Sequence, residues 1–149
     1  MQNLAWNRFL CENLDATRKL AASLFLTMKK EGKNILLLKG NLGSGKTTFC
    51  QEILRISGAK GPFTSPTFVI IKKYDLKENK FFRSAYHIDC YRIGEKDILE
   101  LGWKEIIADK KNLVLVEWPE KIQTIWPEQF MKIDLKILNE KGREIIREK

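Results

Sequence analysis

The features that this sequence lacks exclude several classes of protein. No apolar stretch approaches the roughly 18 residues that a membrane-spanning helix requires. The N-terminal segment mixes Trp6, Asn7, Arg8 and Glu12 with its apolar residues, which is not the pattern of a secretory leader. Cysteine is scarce, with 3 residues (Cys11, Cys50 and Cys90) and no metal-ligand spacing. An odd, widely spaced set argues against a disulfide framework and points to reduced core thiols in a cytoplasmic protein. There is 1 histidine, His87, and a lone histidine beside a strand end is structural more often than catalytic. No repeat, linker or low-complexity tract interrupts the chain. The guanine-reading pattern N-K-x-D is missing, which tilts any nucleotide preference toward ATP. Also missing is an arginine-rich insertion of the kind that closes over two phosphoryl substrates.

Charge is plentiful. Lys and Arg number 27 against 19 Asp and Glu, a net charge of +8. That excess favours an anionic partner, nucleotide or nucleic acid, or else simply solvates the surface. Near the C-terminus Lys132, Lys136, Lys141, Arg143 and Arg147 leave a nucleic-acid-binding surface open.

The most informative stretch is Gly40-Asn41-Leu42-Gly43-Ser44-Gly45-Lys46-Thr47, which spells G-x-x-x-x-G-K-T, the phosphate-cradling P-loop. Glycines let the backbone approach a polyanionic tail and turn N–H groups toward it, and the following helix adds the positive end of its dipole. Lys46 is the candidate countercharge for the β- and γ-phosphates, and the Thr47 hydroxyl a candidate Mg²⁺ ligand. Thr48 is placed either to donate to the α-phosphate or to serve as a first-turn helix residue.

The flanks fit that motif. Ile35-Leu36-Leu37-Leu38 reads as a buried parallel strand before the loop, and Thr48 to Ser57 as a helix after it, closed by Gly58. Apolar residues at Ala16, Leu20, Ala21, Leu24 and Met28 predict a helix over Leu14 to Lys30, capped by Asn13 or Asp15. Phe68 to Tyr74 and Phe81 to Asp89 read as strands that can pair as a hairpin. Lys96–Leu101 and Trp103–Ala108 read as short helices broken at Gly102. Leu113 to Val116 is a second wholly apolar strand, and Met131–Leu138 and Glu144–Arg147 flank a turn at 139–142. The expectation is one domain over residues 1–149, a three-layer α/β fold of P-loop NTPase type. Its central sheet is mostly parallel, with helices on both faces and antiparallel hairpin additions.

A P-loop enzyme needs a carboxylate near its metal, at the carboxyl end of a neighbouring strand. Asp89 and Glu117 both qualify. One can hold the metal while the other orients the attacking water, and the residues do not say which. Either can instead pair with a nearby cation. Ser65-Pro66-Thr67-Phe68 occupies the place of a loop that senses the γ-phosphate through a hydroxyl, and is equally compatible with a strand-entry turn.

Taken together, these blocks resemble one family. Gly40 to Thr48, Ser65-Pro-Thr-Phe68, His87-Ile-Asp-Cys-Tyr-Arg92 and Glu117-Trp-Pro-Glu120, in that order and in so short a chain, are similar to TsaE (YjeE). TsaE is the small P-loop ATPase of tRNA threonylcarbamoyladenosine (t6A) biosynthesis. The likeness runs from Thr17 to Arg143. Cys90 departs from it, since an aliphatic residue is usual there. The resemblance implies ATP and Mg²⁺ as cofactors, with Lys46, Asp89 and Glu117 as catalytic residues and Thr47, Asp89 and Glu117 toward the metal. It implies switch positions at Ser65, Thr67 and Trp118, and nucleotide contacts by Thr17 and Arg143 in addition to Gly40 to Thr48. It implies partners of the TsaB and TsaD type, tRNA reached only through that complex, no membrane, and weak intrinsic hydrolysis that the partners raise. The competing expectation is a small-molecule or nucleoside kinase.

Overall fold

A computed structural model describes residues 7–64 and 69–149. Its centre is four parallel strands, ordered β6–β2–β5–β4, where β2 is Ile35–Gly40, β4 Ser84–Asp89, β5 Asn112–Glu117 and β6 Met131–Ile137. Antiparallel strands extend both edges. β3 (Ile71–Asp75) lies outside β4, and β7 (Arg143–Glu148) followed by β1 (Arg8–Cys11) lies outside β6. The two continuous apolar runs, β2 and β5, are neighbours in the middle. Burial on both faces calls for the uninterrupted apolar runs Ile35 to Leu38 and Leu113 to Val116, whereas the buried Asn112 and Glu117 lie at the two ends of β5.

Alternation along those strands feeds two cores. Leu36, Leu38, Ala85, Leu113 and Leu115 pack under α1 (Leu14–Lys30) and α2 (Lys46–Ser57). Ile35, Leu37, Ile88, Val114 and Val116 pack on the other face. There the cover is α3 (Glu95–Glu100), α4 (Trp103–Ala108) and a 3-10 helix, Pro119–Ile125.

Each long helix has its own boundary chemistry. The Asn13 side chain accepts the Ala16 N–H at 2.9 Å and starts α1, with Lys29 and Lys30 in the last turn, where cations suit the dipole. Glycines in the left-handed region bracket α2, Gly45 at φ 99° and Gly58 at φ 95°. Buried Glu52 on α2 pairs with Arg55 at 2.5 Å and lies 3.9 Å from Arg18 of α1, linking the two helices. Its carboxyl is held below the ordinary range, chiefly by the Arg55 hydrogen bond.

Several predicted boundaries move, for local reasons. β3 begins at Ile71, because Ile70 has φ 68°, which a strand cannot use. β4 begins at Ser84, because the Asn79 side chain accepts the N–H groups of Phe81 and Phe82 and holds them in a turn. The hairpin between β3 and β4 forms as expected. β1 and the 3-10 helix were not anticipated. β1 has 4 residues and pairs only with β7, where Arg8 forms an ion pair with Glu144. Among the described residues no helix is long and apolar enough to cross a membrane.

Candidate nucleotide site

Parallel strands put their carboxyl ends at one pole of the sheet, and the site is built there. β2 ends at Gly40, which pairs with Leu135 of β6. A Cβ on Gly40 would lie 2.6 Å from the Leu135 carbonyl oxygen and 2.6 Å from Ser44 Oγ, so only glycine fits. The loop returns through Gly43 and Gly45, both at positive φ, into the first turn of α2.

Lys46 is the first residue of that helix and only 4% exposed. Its Nζ donates to the carbonyls of Gly40 at 2.6 Å and Asn41 at 3.0 Å, and lies 4.1 Å from the centre of the Trp118 ring. Burial lowers the pKa of the ammonium, while Glu117, Glu120 and Asp89 pull it back up. Trp118 stacks against Tyr91 at 4.8 Å and has φ 57°, a conformation that a bulky residue adopts at a cost. That backbone reversal directly after β5 turns the ring back over the loop.

Glu117 ends β5 and is 2% exposed. Its Oε1 accepts the Thr47 hydroxyl at 2.8 Å, and its Oε2 lies 2.6 Å from His87 Nε2. Asp89, at the end of β4, is register partner to Glu117 and accepts the Tyr91 N–H at 2.9 Å. His87 and Asp89, two residues apart on β4, share the sheet face toward α2 (Cys50, on α2, belongs with His87 and Glu117 to one buried group). Burial and the neighbouring carboxylates raise the Cys50 thiol well above its ordinary pKa and the Cys90 thiol to about 12, so neither is a nucleophile here.

Beside the loop opens a cleft of about 450 Å³, lined by Thr17, Ser44, Gly45, Thr48, Lys141 and Arg143 among others. That is within the roughly 300–1,000 Å³ typical of small-molecule sites. Thr17 uses its hydroxyl on the Asn13 carbonyl at 3.3 Å. Arg143 donates to the carbonyls of Ser44 (3.1 Å), Gly43 (3.2 Å), Asn139 (2.9 Å) and Gly142 (2.8 Å), bracing the β6–β7 turn against the loop.

The residues present suit a polyphosphate with a hard divalent ion. Ser44 Oγ is buried at the loop without a hydrogen-bond partner among the described residues, and Thr47, Glu117 and Asp89 offer only oxygen ligands, the set that Mg²⁺ prefers. The structure therefore gathers Gly40, Asn41, Ser44, Gly45, Lys46, Thr47, Thr48, Asp89, Glu117 and Trp118 around one pole, with Thr17 and Arg143 on the cleft wall. Leu42 is in the loop but 75% exposed, with its side chain turned to solvent. Ser65 and Thr67 lie outside the described residues. His87 is the member that sequence reasoning undervalued. Its spacing of two from Asp89 was the available signal, since it puts both on one strand face.

Strand, glycine loop and helix, at the carboxyl end of a parallel sheet covered on both faces, define an α/β protein of the P-loop NTPase type. The crystal structure of Bacillus subtilis YdiB has the same fold, with a TM-score of 0.70 at 28% identity over 94% of this chain and 82% of that one. The profile described as "Threonylcarbamoyl adenosine biosynthesis protein TsaE" matches residues 11–145. The TsaE protein of Rickettsia felis is 36% identical over 136 residues, 90% of this chain and 75% of its own length. That of Bacillus subtilis is 34% identical over 145 residues, 97% of this chain and 85% of its own. The chain belongs to the TsaE family, whose members take part in t6A biosynthesis.

Proposed function

We propose that this chain is an Mg²⁺-dependent ATPase that supports threonylcarbamoyl modification of tRNA adenosine together with partners of the TsaB and TsaD type. The observation that carries this reading is the convergence of Lys46, Thr47 and Glu117 at the lip of the glycine loop, with Thr47 and Glu117 in contact at 2.8 Å. The loop amides and the Lys46 ammonium bind the phosphate tail. Thr47, Asp89 and Glu117 are the oxygen donors that would hold the metal. When bound, Mg²⁺ would supply positive charge against the phosphate oxygens. Glu117 orients the attacking water, and Thr17 and Arg143 flank the nucleotide in the cleft. Arg143 spends its guanidinium on backbone carbonyls, so it does not act as an arginine finger. With Arg143 engaged in this way, the reading expects slow hydrolysis by the chain alone, since an arginine finger contributes about 10³–10⁵ in turnover.

The test is nucleotide titration with and without Mg²⁺, followed by turnover measured with and without the TsaB–TsaD type complex. Magnesium-dependent ATP binding and hydrolysis that rises with the complex are expected. Phosphate transfer to a nucleoside or metabolite faster than hydrolysis would replace this reading with a kinase. Absence of nucleotide binding would end both.

A further inference from the structure

His87 is buried without exposure, yet nothing in an apolar core calls for an imidazole. Among the described residues its one side-chain hydrogen bond is to Glu117 Oε2, at 2.6 Å, on the oxygen that Thr47 leaves free. The bond is read with Nε2–H donating to the carboxylate oxygen. Nδ1 is buried and, among the described residues, has no partner, so the bond to Glu117 is the imidazole's one anchor.

The consequence concerns Glu117. A carboxylate on two rotatable bonds past Cβ can swing, and each orientation offers a different oxygen to a neighbour. Here both oxygens are assigned, Oε1 to Thr47 on α2 and Oε2 to His87 on β4. β4 and β5 are in parallel register, with His87 opposite Leu115 and Asp89 opposite Glu117, so the bond ties adjacent strands of the rigid sheet. We propose that His87 is a positioning residue. By donating Nε2–H to Glu117 it holds that carboxylate at one rotation, with Oε1 facing Thr47 and the phosphate end of the loop. Outer hydrogen bonds of this kind orient metal-site and catalytic carboxylates, and their loss typically lowers activity by about 10- to 100-fold.

The kinetic role rests on the ATPase reading, whereas the hydrogen bond itself does not, and the experiment separates the two. Because the chain has 1 histidine, protein labelled with ¹⁵N-histidine gives a single imidazole pattern. In wild type the expected pattern is a slowly exchanging proton on Nε2, coupled to that nitrogen. In Glu117→Ala the proton should exchange fast and the two tautomers should mix. A dominant Nδ1–H form, or a pattern unchanged in Glu117→Ala, overturns the proposal whether or not ATP is hydrolysed.

In turnover assays His87→Phe should lose about tenfold or more in kcat, with KM and nucleotide affinity within about twofold. His87→Gln, whose amide nitrogen can donate from nearly the same place, should recover most of that loss. A Gln variant as slow as Phe, or a fall in stability with kcat unchanged, assigns His87 to packing alone and overturns the proposal. If neither variant folds, the nitrogen spectra decide. Wild-type protein that binds no nucleotide defeats the ATPase reading and leaves the spectral result standing.

Discussion

The two faces of the sheet are covered in different ways. On one lie α1 and α2, of 17 and 12 residues, capped at both ends and packed along their length. On the other lie α3, α4 and the 3-10 helix, of 6, 6 and 7 residues. Segments that short cannot sustain themselves by helical cooperativity. They are pinned instead by side chains to main chain: Trp103 Nε1 to the Ile125 carbonyl at 2.9 Å, Trp126 Nε1 to Pro119 at 2.8 Å, and Asn112 Nδ2 to Ile106 at 3.0 Å. The phosphate-loop residues belong to the long-helix face, and the other face contributes one piece to the site, the reversed turn at Trp118. A long helix gives Lys46 and Thr47 fixed positions, whereas short pinned segments give a frame whose integrity depends on a few aromatic anchors.

The strongest challenge to that division is Trp103→Ala. Trp103 is 1% exposed at the heart of the short-segment core, and truncating a buried tryptophan costs about 3–5 kcal/mol. Denaturant unfolding should show that loss while nucleotide affinity of the folded fraction stays within about threefold. Affinity falling in step with stability would mean that the two faces are one unit. Glu117→Ala comes next. Turnover should fall about 100- to 1,000-fold with binding nearly intact, and wild-type turnover would remove the role given to this carboxylate. Lys46→Ala should weaken nucleotide binding by about 10- to 100-fold in titration, the worth of a charge-assisted hydrogen bond, without altering the unfolding midpoint downward. Asn13→Ala strips the α1 cap and should cost about 1 kcal/mol, a sharper probe of whether helix boundaries stabilise the long-helix face.

The smallest effect expected is at acid pH. The folded-state pKa of Glu52 is depressed, so its contribution is complete above the ordinary value of 4.5 and disappears as pH falls through the lowered folded value. Glu52→Gln should therefore flatten the acid limb of stability against pH below about 4.5 and leave its shape at neutral pH unchanged. An acid limb identical to wild type would show that the link between α1 and α2 contributes nothing.

Those same contrasts explain what could be read before the structure. β2 and β5 were legible because burial on both faces demands uninterrupted apolar side chains, and α1 because its stripe repeats at helical spacing over 17 residues. The glycine loop was legible because its motif fixes four residues, Gly40, Gly45, Lys46 and Thr47, within eight consecutive positions. β1 was not, since three of its four residues are exposed and its existence depends on β7, more than a hundred residues later. The 3-10 helix was equally hidden, because the indole N–H groups of its own cap, Trp126, and of Trp103, 22 residues away from Ile125, hold it in place. The candidate carboxylates were found, but the contact between His87 and Glu117 spans 30 residues and exists only through the register of β4 on β5. Trp103 illustrates the converse, a tryptophan that composition alone leaves free to be a docking residue and that packing assigns to the core.

Arg143 has a temporal meaning as well as a spatial one. Its guanidinium joins carbonyls at positions 43 and 44 to others at 139 and 142, partners about a hundred residues apart along the chain. A ribosome has therefore added about a hundred residues beyond the glycine loop before its brace emerges. Chains that stop short of this arginine carry the complete G-x-x-x-x-G-K-T motif but lack the brace.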